Sequence, residues 1–522
     1  MPKQQNDLLV DLISRLTKAE KRYFKLYARR NATTGADALF IQLFEVISRK
    51  GSFDESVILQ SVPDIKRTQI PNLRSKLYRE VLASLRLQYS SQIVELATRE
   101  ILDFAQILYR KGLYRQCLSA LDKAKTKADE YGLHILQLEI VAFEKHVEQQ
   151  HITRSIDTKA EELSRESDEL VGKVSMEAAL SNLSLQLYGH YLRMGHARNK
   201  NEEEQIKSFF LGNVPEYDED KLSFFEKLYL YQTFVWLYQI TQEFAKQYRY
   251  AQKWVDLFHD EPAFIYSNIP LYIKGLHNLL NTLYLTLQID KFRVALHELE
   301  CFNTDGNFAL NDNEESLHIL FMIVHRLNLH MLEGTFDAGV SWAAPFEEIL
   351  KTNKYNWDIH RVMVLNYKLA CIHFGAGNNE KSIELLNSIT NQFNPNLRED
   401  IQGFARILSL IAHFELGNDV LVSYQIKSVY RFLLKMKEMN ATHSEILKFL
   451  RRTPSMLPGE VRDEFIELKE TLLQIRDKQF ERRSGFYLDI ISWLESKIEN
   501  RPVQDIIREK FLATSQAGES LT

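Results

Sequence analysis

The chain has 522 residues, 45% hydrophobic and 26% charged, which excludes an intrinsically disordered polymer. Its 19 glycines and 11 prolines fall below the usual ~7% and ~5%, which disfavours sandwiches, barrels and glycine-loop nucleotide folds with their many tight turns. A formal charge of −5 excludes a general polyanion binder.

The opening stretch, MPKQQNDLLVDLISRL, carries acids inside its apolar run and no small-residue cleavage site, so no signal peptide is expected. Residues 1–95 form the first predicted module. They hold 16 Lys and Arg against 10 Asp and Glu, a net of +6, which leaves −11 for the remainder. Thr17 and Glu20 have the spacing of a capping box. Gly35 and Gly51 bracket a helix through LFIQLFEVISRK, and DESVILQSV gives a short helix stopped by Pro63. A longer helix follows through PNLRSKLYREVLASLRLQ, with Pro71 in its first turn.

From about residue 96 the chain repeats. In ILDFAQILYRKGLYRQCLSALDKAKTKA, an apolar helix leads to Gly112, then Tyr114, Cys117, Leu121 and Ala124. This is an αα-hairpin: glycine supplies the left-handed turn, and small residues let the second helix approach the first. The layout returns at Asp290 (Phe292, Ala295, Leu299, Phe302), at Gly334 (Phe336, Gly339, Ala343, Phe346) and at Gly377 (Ser382, Leu386, Ile389). Weaker copies have turns at Lys246, Gly195 and Gly417. The turns at 246, 290, 334, 377 and 417 are 40–44 residues apart, one helix pair per period, and predict about eight pairs over 96–440. The acidic runs 202–204 and 216–220 are expected in loops, and FVWLYQ (234–239) in the core of a helix pair.

These glycines and the Tyr/Phe, Ala, Leu series resemble the tetratricopeptide-repeat (TPR) superfamily over roughly residues 96–440. The period is longer than the ~34 residues usual there, and the proline after the second helix is mostly missing. The resemblance implies a right-handed superhelix of αα-hairpins whose surface receives a peptide or protein. The segment LTKAEKRYFKLYARR (16–30) is also similar to the opening of uncharacterised helical-repeat proteins of Bacteroidota, which supplies no activity.

Pro454 and Pro458 end the repeat, and a helical cap is expected over 441–512, followed by a disordered tail at 513–522. Cys117, Cys301 and Cys371 are far apart and match neither a disulfide framework nor a zinc ribbon, and reduced thiols suit a cytoplasmic protein. No run approaches 18 uninterrupted apolar residues, so no membrane span is expected.

Two constellations stand out. Asn72, Lys76, Arg79 and Arg86 fall within about 80° on a helical wheel, and Lys21, Lys25 and Arg29 form a second basic stripe. With the short helix and break before them, they could dock on nucleic-acid phosphates; the plainer reading is a solvated helix face. His330, His373 and His413 each lie four residues before a turn glycine. They could form a ladder along one groove, in register on equivalent first helices; the plainer reading is a ring in a structural slot with one nitrogen bonded locally. One histidine per repeat does not converge on a metal, since packed helices lie about 8–10 Å apart.

No catalytic motif, cofactor site or metal set is found. The expected fold is all-α: a helical N-terminal module, a TPR-like solenoid and a cap. The expected function is a non-enzymatic, cytoplasmic scaffold or adaptor that binds a protein or peptide. Its rival is a regulator that contacts DNA through residues 1–95 and senses a ligand with the solenoid.

Overall fold

The computed structural model describes residues 7–31, 35–150, 158–303, 310–392, 397–453, 456, 458–476, 480–481 and 489–519. Among them there are twenty-five α-helices and no strand, the all-α class expected. In the first part of the chain these are α1 (Leu8–Arg15), α2 (Lys18–Asn31), α3 (Gly35–Lys50), α4 (Glu55–Ser61), α5 (Ile70–Tyr89), α6 (Val94–Arg110), α7 (Tyr114–Glu130), α8 (His134–Gln150) and α9 (Lys159–Met194). Next come α10 (Lys200–Asn213), α11 (Phe224–Thr241), α12 (Phe244–Asp260), α13 (Ala263–Ser267), α14 (Ile269–Leu285), α15 (Ile289–Cys301), α16 (Asp312–Glu333) and α17 (Phe336–Thr352). The last are α18 (Ile359–Gly375), α19 (Asn379–Gln392), α20 (Glu399–Glu415), α21 (Asp419–Lys435), α22 (Ala441–Arg452), α23 (Pro458–Arg476), α24 (Ile490–Glu499) and α25 (Val503–Glu519).

The chain divides into two compact units, Met1–Val174 and Ser175–Thr522, with the division inside α9. In the first unit, α1–α5 share a buried cluster that includes Phe24, Phe44 and Leu77. The capping box at α2 is real: the Thr17 N–H donates to Glu20 Oε2 at 2.6 Å, and the Glu20 N–H to Thr17 Oγ1 at 3.1 Å. Such a cap is worth about 1 kcal/mol. Helices α6–α8 have a second cluster, in which Cys117, Leu121 and Ala124 of α7 are fully buried, as close helix contact requires.

In the second unit, α11/α12, α14/α15, α16/α17, α18/α19 and α20/α21 are hairpins, and α14, α16, α18 and α20 pack on one another in succession. Each hairpin turns through a residue with positive φ: Gln242, Leu287, Gly334, Gly377 and Gly417, in steps of 45, 47, 43 and 40. One bond recurs at each turn. The N–H of the following residue (Glu243, Gln288, Thr335, Asn378, Asn418) donates to the carbonyl of Tyr238, Leu283, His330, His373 or His413 at 2.8–3.0 Å. This is the Schellman closure of a helix end. Lys246 and Asp290, expected at turns, lie instead inside α12 and α15. Gln242 and Leu287 hold the left-handed conformation there without glycine, so the sequence signal slipped by four and three residues.

The acidic loop after α10 is tied down: Glu219 lies 2.6 Å from Lys253 Nζ and accepts from the Tyr231 hydroxyl at 2.8 Å. At the far end α25 folds back on α16. Gly334 allows this, because a Cβ there would lie 2.6 Å from the Arg508 amide nitrogen. The backbone of α25 is helical to Glu519, where a disordered tail was expected from 513, and 520–522 lie outside the described residues. Pro454, expected as a break, also lies outside them, and Pro458 begins α23. Among the described residues no helix is long and apolar enough to cross a membrane.

Candidate functional site

The second unit returns on itself. The end of α9 and the segment before α10 reach α11 on one side: the His196 Nδ1–H donates to the Gln239 carbonyl at 2.7 Å, and the Ala197 N–H to the Ile240 carbonyl at 2.8 Å. On the other side they reach α20 and the end of α21. The Arg398 N–H donates to the Leu192 carbonyl at 3.0 Å, and Arg198 donates to the Met436 carbonyl at 2.9 Å and faces Glu202, Glu399 and Glu438. Gly195 permits the closure: a Cβ on it would lie 2.2 Å from Asp400 Oδ2. The inner faces therefore surround a cavity of about 100 Å³, where the repeat pattern alone leads one to expect an extended open surface.

One wall of the cavity is a neutralised charge. Arg398 and Asp400 are both almost fully buried and form a two-pronged pair at 2.9 and 2.8 Å, with the guanidinium 4.7 Å from the Tyr191 ring centre. Arg398 pays for this position with a left-handed backbone, φ 48°. The lining also carries a charge of another kind. Lys368 of α18 donates to Asn328 Oδ1 of α16 at 2.6 Å and lies 5.5 Å from the Tyr284 ring centre of α14. No carboxylate faces it among the described residues, and burial pushes its pKa down to about 8. One turn on, burial pushes the Cys371 thiol up to about 12, so it stays protonated.

Behind Lys368 runs a buried polar chain. Asn328 Nδ2 lies 3.3 Å from His325 Nδ1, and His325 Nε2 lies 2.8 Å from His277 Nδ1. His277 stacks on Phe321 with ring centres 3.9 Å apart. Burial holds both imidazoles neutral, His277 down at about 3 and His325 also well below its ordinary value, with nearby Lys368 adding to the effect. Leu285, Met331, Val364 and Ile401 also line the cavity. The sequence did carry a signal for Lys368. It is a lysine in an apolar helical run with no acid within four residues on either side.

The three in-phase histidines are elsewhere. They occupy equivalent positions, each supplying the carbonyl that closes its hairpin turn. His330 Nδ1 lies 2.8 Å from Thr335 Oγ1, His413 Nδ1 lies 3.2 Å from Asn418 Nδ2, and His373 Nε2 lies 3.0 Å from Glu347 of α17. In two of the three, a polar contact replaces the usual apolar one across the turn. Burial lowers the pKa of His330 and of His413. Gly339 leaves room for His330, since a Cβ there would lie 3.1 Å from the His330 Cβ. Among the described residues no group of three or more His, Cys, Asp or Glu could hold a metal ion.

The N-terminal stripes are dispersed. Lys21, Lys25 and Arg29 lie on α2 and Asn72, Lys76, Arg79 and Arg86 on α5, whose Leu73, Leu77 and Val81 are buried as the wheel requires. Lys25 faces Glu45 at 3.2 Å, Arg79 faces Glu80 at 3.5 Å and Arg86 faces Asp103 at 2.9 Å. Lys76 Nζ sits 5.1 Å from the Phe40 ring centre. Asn72 and Arg29 are exposed, and Lys21 is half-buried.

A surface that the sequence reading passed over lies on α21. Val420 is 88% exposed and Tyr424 80%, and Leu434 is also exposed. Lys427, Arg431 and Lys435 share that face within about 100° of arc, all exposed, with no ion-pair partner among the described residues. No protein-family model and no curated protein matches this sequence.

Proposed function

We propose that the protein is a non-enzymatic cytoplasmic scaffold, built on a right-handed TPR-like solenoid, that binds an acidic, apolar segment of a partner protein on the outer face of α21. The hairpin period and the recurring turn closure support the solenoid. The observation that carries the binding reading is the α21 face itself. A large exposed tyrosine and valine beside three unneutralised cations is the composition of an interaction surface, because it costs solvation unless something covers it. The regulator reading rests on the N-terminal stripes, where three of six cations already face carboxylates; on α21 none of three does among the described residues. That contrast favours the scaffold.

Quantitative affinity purification of the tagged full chain from its host tests this. Proteins that co-purify with the wild type should be lost with the triple variant Lys427→Glu, Arg431→Glu, Lys435→Glu and with Tyr424→Ala. They should be retained with Lys368→Met. An unchanged set across all three variants defeats the proposal.

A further inference from the structure

We infer that the cavity of the second unit is a binding site for a short-chain organic acid, with its carboxylate on Lys368 Nζ and the Tyr284 hydroxyl and its hydrocarbon end among Leu285, Met331, Val364 and Ile401. The first observation is charge balance. Two cations line the cavity. Arg398 is neutralised by Asp400 at 2.8 Å. Lys368 faces no carboxylate among the described residues, and burial lowers its pKa. An ammonium partly withdrawn from water without a counter-ion is costly, and an anion entering the cavity reduces that cost.

The second observation is the donor set. Lys368 has three N–H donors and spends one on Asn328, whose oxygen is held toward it by the His325 contact. Tyr284 lines the same cavity, and its hydroxyl has no hydrogen-bond partner among the described residues. Burial raises its pKa, so it remains a donor. An ammonium and a phenol offered together match the two oxygens of a carboxylate.

The third observation is size. A cavity of about 100 Å³ is smaller than the ~150 Å³ that takes up a benzene molecule, so the occupant has no more than about six heavy atoms. That is a carboxylate with a tail of one to three carbons. A peptide segment does not fit that volume, and inorganic phosphate leaves the four apolar lining residues uncovered. The site is separate from α21, so this inference stands without the scaffold reading.

Calorimetric titration of the full chain with butyrate tests it, with butyramide as the neutral isostere. Butyrate should bind one to one at pH 7, and butyramide at least tenfold more weakly. Lys368→Met should weaken butyrate at least tenfold, and Tyr284→Phe about fivefold, the effect of one hydrogen bond. Above about pH 8 the affinity should fall as Lys368 loses its proton; the charged and titratable groups facing it, Arg398, Cys371, Tyr284, His277 and His325, keep their charge state through neutral pH. The α21 triple variant should bind butyrate like the wild type. The inference is overturned if butyrate and butyramide bind alike, or if Lys368→Met binds butyrate unchanged. Phosphate or a free-carboxylate tetrapeptide binding as tightly as butyrate also overturns it, as does no binding of any acid from acetate to hexanoate at about 10 mM. Should Lys368→Met fail to fold, Tyr284→Phe and the pH profile decide.

Discussion

In the first unit Lys25, Arg79 and Arg86 stand at the surface within 3.5 Å of Glu45, Glu80 and Asp103. In the second unit Lys368 sits between Tyr284 and Asn328 with no carboxylate at hand among the described residues. The first region is rich in charge along the sequence and poor in charge that is free to act. In the second, the lysine that lines the cavity has no such partner among the described residues. Surface pairs contribute about 0–1 kcal/mol each and are screened by salt, whereas an enclosed, unpaired charge costs several. Basic density in a stretch of sequence is thus a weak guide to function. A charge retained where it is expensive is a stronger one.

The largest expected effect separates paired from unpaired burial. Asp400→Leu leaves Arg398 enclosed without its carboxylate, and should destabilise the second unit by about 3–5 kcal/mol in denaturant titration. A loss below about 1 kcal/mol would mean that water reaches Arg398 and that the cavity wall is open.

Lys368 should behave in the opposite sense. Its folded pKa, about 8, lies below the ordinary lysine value of 10.5. Between these values the unfolded chain binds more protons, so this group makes stability rise with pH through that window. Below about pH 8 the full penalty stands. Lys368→Met should therefore stabilise the apo protein at pH 7 by up to about 3 kcal/mol, and the advantage should shrink between pH 8 and 10.5. A variant less stable than the wild type at pH 7 would show that Lys368 already has a structural counter-ion.

The smallest effect belongs to the surface. A double-mutant cycle on Arg86 and Asp103 should return a coupling of about 0.5 kcal/mol that vanishes at high salt. A coupling above 2 kcal/mol would mean that the N-terminal module organises its charge more tightly than its exposure implies.

The parts of the fold legible in the sequence were those set by local backbone chemistry. Gly112, Gly334, Gly377 and Gly417 mark turns because all four hold positive φ, and Thr17 with Glu20 caps α2 within four residues. Leu287 and Gln242 were not legible, because a leucine or glutamine gives no hint of left-handed backbone. The cavity was hidden for a different reason. Lys368 gains its meaning from Asn328 and Tyr284, on helices one and two hairpins back. The closure that shapes the cavity depends on Arg198 meeting Glu438, 240 positions along the chain. The in-phase histidines were visible as a pattern, and the pattern reports turn closure by their backbone carbonyls.

The contact between Arg198 and the α20–α21 end has a consequence for how this chain can change. An open array of hairpins tolerates gain or loss of a unit, because each one touches only its neighbours. Here the two edges of the array are bonded to each other, so the number of hairpins between them is fixed in the way that the blades of a propeller are. Duplicating or deleting a single pair would displace Asp400 and Glu438 from Gly195 and Arg198 and break this closure.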